Sequence, residues 1–145
     1  MLEMIKKLRE ETDAGVMDVR KALTESKGDV KAAKAWLEAK GMKRAEEKSE
    51  RTTEAGYVFS YVHFNGKVGS LIKLACETDF VAKTEAFQTL GKEIAMQVAS
   101  MKPETVEELM KQDYLKDSSK TIEAMIKLIS GKTGENIRVV AIASL

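Results

Sequence analysis

The dipeptide Asn65-Gly66 constrains the fold of this chain more than any other feature of its sequence. It lies between two segments in which apolar residues alternate with others, and Asn-Gly in that setting strongly favours a two-residue β-turn. Such a turn fixes the strand register, because Phe64 then opposes Lys67 and the numbers of paired residues sum to 131. The sequence therefore predicts an antiparallel hairpin over residues 56–76.

The predicted register separates the side chains of the hairpin into two faces. In this register Tyr57 faces Leu74 and Phe59 faces Ile72. A slip of one residue would move every side chain to the opposite face, so a register that sorts the faces well is favoured. The apolar face collects Tyr57, Phe59, Tyr61, Val68, Ile72 and Leu74. The other face carries Ser60, Gly69 and Lys73 and can be partly exposed to water.

Residues 1–41 are predicted to form three short helices, because apolar residues recur there at helical spacing. Thr12–Gly15 separates the first two helices, and Gly28 ends the second. Asp29 is suited to cap the third helix, which Gly41 ends. The three apolar stripes are Leu2, Ile5 and Leu8; Val16, Val19 and Leu23; and Val30, Ala33, Trp36 and Leu37.

The segment 42–55 is almost entirely polar. It is predicted to be a charged linker, or a helix extension with no face to bury, and a domain boundary is placed there. Residues 56–145 then form an α/β core, in which the hairpin is followed by further helices and a strand from Ile137 to Ser144. The fold class is α+β, with a three-stranded antiparallel sheet packed against helices.

Three helices are predicted between the hairpin and the last strand. The first buries Phe87, Leu90, Ile94 and Val98, with Met101 at its end. Thr105 opens a capping-box pattern for a short helix that ends near Lys111. Ser118 or Ser119 caps the last helix, and Gly131 or Gly134 ends it; its inward residues are Ile122, Met125, Ile126 and Ile129.

The charge and cysteine content exclude several classes of protein. The net charge is +1 and the charges are evenly spread, so broad electrostatic binding to nucleic acid or to an anionic membrane is not indicated. No apolar run approaches the roughly 20 residues that span a bilayer, and the N-terminus lacks signal-peptide character. The single Cys76 excludes an internal disulfide and fits a reducing, cytoplasmic compartment.

No catalytic, metal or cofactor site is predicted. Cys76 and His63 invite the interpretation of a nucleophile and its base, but the hairpin register separates them by about 26 Å. A buried thiol and a histidine at a strand end are the simpler interpretations. One cysteine and one histidine are also too few for a structural zinc site.

The segment Cys76–Ala82 is the strongest functional candidate. Asp79 and Phe80 stand together on a short connection after a strand, where Gly, Asn or Pro would be usual. A structural alternative is that a helix begins at Asp79, which would cap it, and that Phe80, seven residues before Phe87, is a core residue. Val16 and Met17, just after Gly15, are likewise either core residues or a contact patch.

Three ordered motifs, together with a helix, resemble the elongation factor Ts family, the nucleotide exchange factors of the GTPase elongation factor Tu. The motifs are Leu8–Leu23, Cys76–Lys83 and Gly134–Ile137, and the helix is Ile94–Ala99. The resemblance implies a ubiquitin-associated-like three-helix domain over residues 1–41, the linker 42–55 and a core and dimerisation domain over residues 56–145. It also implies a protein that is not an enzyme and needs no cofactor.

The resemblance assigns two sets of residues to contacts with elongation factor Tu. Thr78, Asp79, Phe80 and Val81 match the turn whose Phe enters an apolar pocket near the nucleotide's phosphates and magnesium ion. This contact would displace the magnesium and phosphate interactions and release GDP. The N-terminal domain would dock on the GTP-binding domain of the partner through Arg9, Gly15, Val16 and Met17.

The chain departs from the family pattern in its length. Only about twenty residues, Met101 to Lys120, stand where many members carry a long helical hairpin, and the second core subdomain of longer members is lacking. Short members form dimers, so a homodimer is expected. Two alternatives remain open: a non-enzymatic helical adaptor that binds ubiquitin-like or other proteins, and a small cysteine-dependent enzyme.

Overall fold

The computed structural model describes all 145 residues and begins with three helices: α1 (Leu2–Thr12), α2 (Val16–Glu25) and α3 (Val30–Glu47). Their apolar stripes meet in a separate small core, as predicted, except that Leu2 and Val16 are exposed. The Asp29 carboxylate caps α3 by accepting from the backbone N–H groups of Lys31 and Ala32. The residues of this core are Ile5, Leu8, Val19, Ala22, Leu23, Ala33 and Leu37.

The hairpin has the predicted register. Strands β1 (Ala55–Val62) and β2 (Gly69–Cys76) are antiparallel, and their partners include Tyr57 with Leu74 and Phe59 with Ile72. The turn itself differs from the prediction, because the Gly66 N–H donates to the His63 carbonyl instead of Lys67 donating to Phe64. Gly66 has φ +70°, which glycine adopts without strain. The loop is therefore wider than two residues while the strand pairing is unchanged.

A one-turn helix, α4 (Asp79–Ala82), and a long helix, α5 (Glu85–Met101), follow the hairpin. Helix α5 packs on the apolar face of the sheet, where its Phe87, Leu90, Ile94 and Val98 are buried as predicted. Met101 is 49 % exposed and lies outside the core.

The segment after α5 contains α6 (Val106–Lys111), a small hairpin of β3 (Asp113–Tyr114) and β4 (Asp117–Thr121), and α7 (Ile122–Thr133). The Thr105 cap of α6 is confirmed, and Gly134 ends α7 in the left-handed region. The cap predicted at Ser118 or Ser119 is wrong, because Thr121 accepts from the Ala124 N–H.

The unpredicted hairpin of β3 and β4 is attached to α5 through the fully buried Gln97. Its side-chain amide donates to the Gln112 side chain and to the Asp113 carbonyl, and its oxygen accepts from the Leu115 N–H. A buried amide needs such partners. The long-range hydrogen bonds of this one glutamine therefore position the hairpin.

The last strand, β5 (Arg138–Ser144), completes the sheet in the order β1-β2-β5. All pairs are antiparallel, which confirms the predicted three-stranded sheet. Helices α4, α5, α6 and α7 supply the other side of the main core. The opposite face of the sheet has no helix on it and exposes Val58, Val62 and Leu71 as well as the predicted Ser60 and Lys73.

Helix α3 does not end at Gly41 as predicted but continues to Glu47 and packs against α7. Gly41 and Gly131 touch at this crossing, and Ala45 is buried. The polar pattern of residues 42–47 is misleading, because the one buried side chain of the extension is the small Ala45. A domain boundary within residues 42–55 stays a prediction.

Candidate partner-binding site

Phe80 is the most exposed apolar side chain outside the chain end and the hairpin loop, with 83 % of its surface open. It stands on α4, directly after β2. Its neighbours Val81 and Ala82 are buried in the main core, and Phe87 is fully buried. The exposed ring of Phe80 therefore stands on a well-packed base.

Two threonine caps explain why Phe80 is exposed. Thr78 Oγ1 accepts from the Val81 N–H and starts α4, and Thr84 Oγ1 accepts from the Phe87 N–H and starts α5. In one continuous helix Phe80 and Phe87, seven residues apart, would lie on the same face. The break between α4 and α5 removes this relation. A helix does begin at Asp79, as the structural alternative predicted, but that alternative is wrong in two respects: Thr78, not Asp79, is the cap, and Phe80 is not a core residue.

The residues Thr78–Val81, which we call the aromatic turn, are mounted firmly. The Thr84 hydroxyl donates to the Val81 carbonyl at 2.7 Å, and the Gln88 amide donates to the Ala82 carbonyl at 2.7 Å. Thr78, Asp79 and Phe80 are exposed, whereas Val81 is buried. The predicted contact residues are thus adjacent, with Val81 supporting the other three from the core.

Glu135 is a supporting residue that the sequence interpretation missed. Its carboxylate accepts from the backbone N–H groups of Glu77 and Thr78 and from the Thr78 hydroxyl, at 2.7–3.1 Å. The two segments are 57–58 residues apart in sequence. The only sequence signal was the position of Glu135 inside the Gly134–Ile137 motif, which assigned it no role.

The second predicted contact lies between α1 and α2, at Gly15–Met17, which we call the N-terminal turn. Gly15 is the extended cap residue of α2, and Met17 and Val16 are 73 % and 41 % exposed. Asp13 ends α1 in the left-handed conformation, and its N–H donates to the Arg9 carbonyl. The chain therefore reverses tightly and presents two apolar side chains.

An open groove of about 880 Å³ adjoins the N-terminal turn. Arg9, Val16 and Arg20 lie along it together with the exposed Met1 and Leu2. A groove that combines apolar side chains with guanidinium groups is typical of a protein-binding surface. Arg9, Gly15, Val16 and Met17 are thus brought to one end of the helical unit.

Asp18 links the start of α2 to α3. Its carboxylate lies 2.6 Å from Lys40 Nζ and 2.8 Å from Arg44 Nη2. The hydrogen bond from Lys40, followed by that from Arg44, holds the pKa of Asp18 below its usual value although burial opposes the shift. This pair of contacts steadies the helix that carries Val16 and Met17.

The cysteine does not resemble a nucleophile. Cys76 is fully buried, and burial together with the charge of Glu135 raises its pKa to about 11. A thiol in that range is almost entirely protonated at neutral pH. His63 lies at the other end of the hairpin, where its Nδ1 is 2.8 Å from the Tyr61 hydroxyl. The register therefore keeps Cys76 and His63 apart, as predicted.

Nothing in the helices of this fold is suited to crossing a lipid bilayer, since none combines sufficient length with sufficient apolarity.

Comparisons with known proteins give a consistent result. A family described as "Elongation factor TS" matches residues 77–145. The chain is 39 % identical to elongation factor Ts of Thermotoga neapolitana, over 95 % of this chain and 92 % of the relative. It is 44 % identical to elongation factor Ts of Fervidobacterium nodosum, over 90 % and 72 % of the two chains. A Nostoc relative named elongation factor Ts is also 44 % identical over 94 % of this chain, which spans 43 % of that protein.

Proposed function

The chain belongs to the elongation factor Ts family, and from this membership we propose that it binds elongation factor Tu in its GDP-bound form and promotes the exchange of GDP for GTP. The family assignment places it among translation elongation factors. The observation that carries the proposal is the exposure of Phe80 on a base buried in the core. A rigidly mounted aromatic side chain is suited to enter a pocket on another protein.

The proposed mechanism requires no catalytic group on this chain. Phe80 inserts near the nucleotide's phosphates and magnesium ion, with Thr78 and Asp79 beside it and Val81 beneath it. Binding that favours the nucleotide-free partner lowers the affinity for GDP by the same factor, because the two equilibria are linked. GTP then binds and displaces the factor. The protein is accordingly not an enzyme, and the proposed place of action is the cytoplasm.

The N-terminal turn supplies a second proposed contact, on the GTP-binding domain of elongation factor Tu. Val16 and Met17 offer apolar surface, and Arg9 lies across the adjoining groove. Gly15 leaves open space around its Cα, since a Cβ there would meet nothing within 4 Å. Backbone of the partner could therefore approach closely at this position.

A homodimer is proposed through the face of the sheet that carries no helix. Val58, Val62 and Leu71 lie on that face and are each more than half exposed. Apolar side chains grouped on one surface favour association. Light scattering at working concentration would contradict this proposal if it gave the mass of a single chain.

The decisive experiment is the release of a fluorescent GDP analogue from elongation factor Tu at micromolar concentrations of this protein. The wild-type protein is expected to accelerate release, and Phe80→Ala to lower the maximal rate about tenfold or more. Phe64→Ala is the matched control, because Phe64 is 92 % exposed on the hairpin loop and has no proposed role. No acceleration by the wild-type protein would overturn the exchange function. If a folded Phe80→Ala variant released GDP at the wild-type rate, the insertion of Phe80 would be overturned but the exchange function would stand.

A further inference from the structure

The carboxylate of Glu135 makes three hydrogen bonds to the beginning of the aromatic turn. One oxygen accepts from the Glu77 and Thr78 N–H groups at 3.1 and 2.9 Å, and the other accepts from the Thr78 hydroxyl at 2.7 Å. Hydrogen bonds to an ionised acceptor are stronger than those between neutral groups. Glu135 therefore fixes both the backbone and the side chain of Thr78.

The hydroxyl of Thr78 transmits this constraint to α4. Because it donates its proton to Glu135, its lone pairs remain directed at the Val81 N–H, 3.3 Å away. This second hydrogen bond is the cap that begins α4, the turn of helix that carries Asp79 and Phe80. The contacts form one chain from Glu135 through Thr78 to Val81.

Glu135 is itself held in place from three directions. Gly134, at φ +79°, ends α7 just before it, and the Ser130 hydroxyl donates to the Glu135 carbonyl. Glu77 returns the contact, because its carboxylate accepts from the Asn136 N–H at 2.6 Å. The Asn136 amide in turn donates to the Ser49 and Arg51 carbonyls. The segment Gly134–Asn136 is therefore held in place independently of the aromatic turn.

We infer that Glu135 is a positioning residue for nucleotide exchange, one that acts by orienting Phe80 through Thr78. The functional half of this inference, that Glu135 affects nucleotide exchange, rests on the proposed function. Its structural half, that Glu135 fixes the start of α4, can be tested without elongation factor Tu. If Glu135 contributed only to the stability of the whole fold, its removal would not affect the aromatic turn more than the rest of the protein.

The first test is hydrogen exchange of the backbone amides in the free protein. Glu135→Ala is expected to speed exchange at Thr78 and Val81 about tenfold or more, because an ionised acceptor is lost. Glu93→Ala is the matched control: this carboxylate accepts from the Tyr114 hydroxyl and from Lys116 in the same core, away from the turn. Unchanged exchange at Val81 in Glu135→Ala, or an equal increase in Glu93→Ala, would overturn the inference.

The second test is a double-mutant cycle in the GDP-release assay. Glu135→Ala is expected to lower the maximal release rate about tenfold, and Glu135→Gln less, because the amide oxygen still accepts from the two N–H groups. The concentration for half-maximal release should change less than the maximal rate. In the Phe80→Ala background Glu135→Ala should have almost no further effect.

The outcomes separate this inference from the proposed function. If Phe80→Ala slows release and Glu135→Ala does not, the positioning role in exchange is overturned while the insertion of Phe80 stands. If the two substitutions slow release independently, Glu135 does not act through Phe80 and the inference is again overturned. If wild-type protein does not accelerate release, the exchange function fails, and hydrogen exchange alone decides whether Glu135 positions the turn.

Discussion

The aromatic turn and the N-terminal turn differ in how firmly the fold holds them. The first is anchored by Val81 in the core and by three hydrogen bonds donated at its start to the Glu135 carboxylate. The second is held by backbone capping at Asp13 and by the ion pairs of Asp18. One presents a single large side chain in a fixed position, and the other presents apolar area beside an open groove. In the proposed exchange reaction, we therefore expect the aromatic turn to set the maximal rate of GDP release. We expect the N-terminal turn to set the affinity for elongation factor Tu.

The crossing of α3 and α7 connects the units that carry the two turns, so disrupting it should produce the largest effect. A Cβ added at Gly131 would lie 2.5 Å from the Gly41 carbonyl oxygen and 2.6 Å from its carbon. Because backbone must shift, Gly131→Ala is expected to destabilise the protein by about 2–3 kcal/mol. Denaturant unfolding measures this change.

The facing glycine supplies the control for this crossing. A Cβ at Gly41 would meet only the Gly131 Cα at 3.8 Å, an ordinary contact. Gly41→Ala should therefore be neutral or should stabilise the protein by up to about 1 kcal/mol, since Ala favours a helix interior. Equal destabilisation by the two substitutions would contradict the asymmetric contact described here.

The proposed division of roles between the turns is tested more sharply by Met17→Ala. Met17 is 73 % exposed, so its truncation should leave the fold unchanged. Loss of a peripheral apolar contact is expected to raise the half-saturating concentration in the GDP-release assay about fivefold while the maximal rate stays near wild type. Phe80→Ala should show the reverse pattern. If both variants changed the same parameter, the division of roles would be wrong.

The structural features that were predicted best from the sequence are those that depend on residues close together in the chain. The hairpin register followed from local patterning and was confirmed even though the turn was wider than expected. The caps at Asp29 and Thr105 were likewise visible, because a cap is read from four consecutive residues. For the aromatic turn, periodicity alone suggested a buried Phe80, and the motif resemblance was needed to favour exposure.

What the sequence did not reveal depends on contacts between distant segments. The extension of α3 looked like a solvated linker because its close packing comes from small residues, Gly41 and Ala45, and its other contact with α7 is the polar ion pair of Glu46 with Lys127. The hairpin of β3 and β4 is positioned by Gln97, and the aromatic turn by Glu135, 57 residues from Thr78. Polar residues in such roles have no periodic pattern, so only the folded chain identifies them.

The smallest expected effect concerns the support of the N-terminal turn by Asp18. The folded-state pKa of this carboxyl is lowered, chiefly by the hydrogen bond from Lys40, so its stabilising contribution is present above the unfolded pKa of about 3.9. The contribution is lost as the pH falls through the lower folded-state pKa. Because the three side chains are partly exposed, Asp18→Asn should cost about 1 kcal/mol or less near neutral pH.

Denaturant unfolding of Asp18→Asn and wild type across the acid range tests whether this support is electrostatic. The stability difference between the two proteins should shrink below about pH 4 and vanish once the wild-type carboxyl is protonated. Glu11→Gln is the control, because Glu11 makes a single ion pair, with Lys34, and both side chains are more than a third exposed. If the stability difference between the two proteins persisted in acid, Asp18 would support the N-terminal turn through packing. Both turns would then be held by packing, and the two would differ less than proposed here.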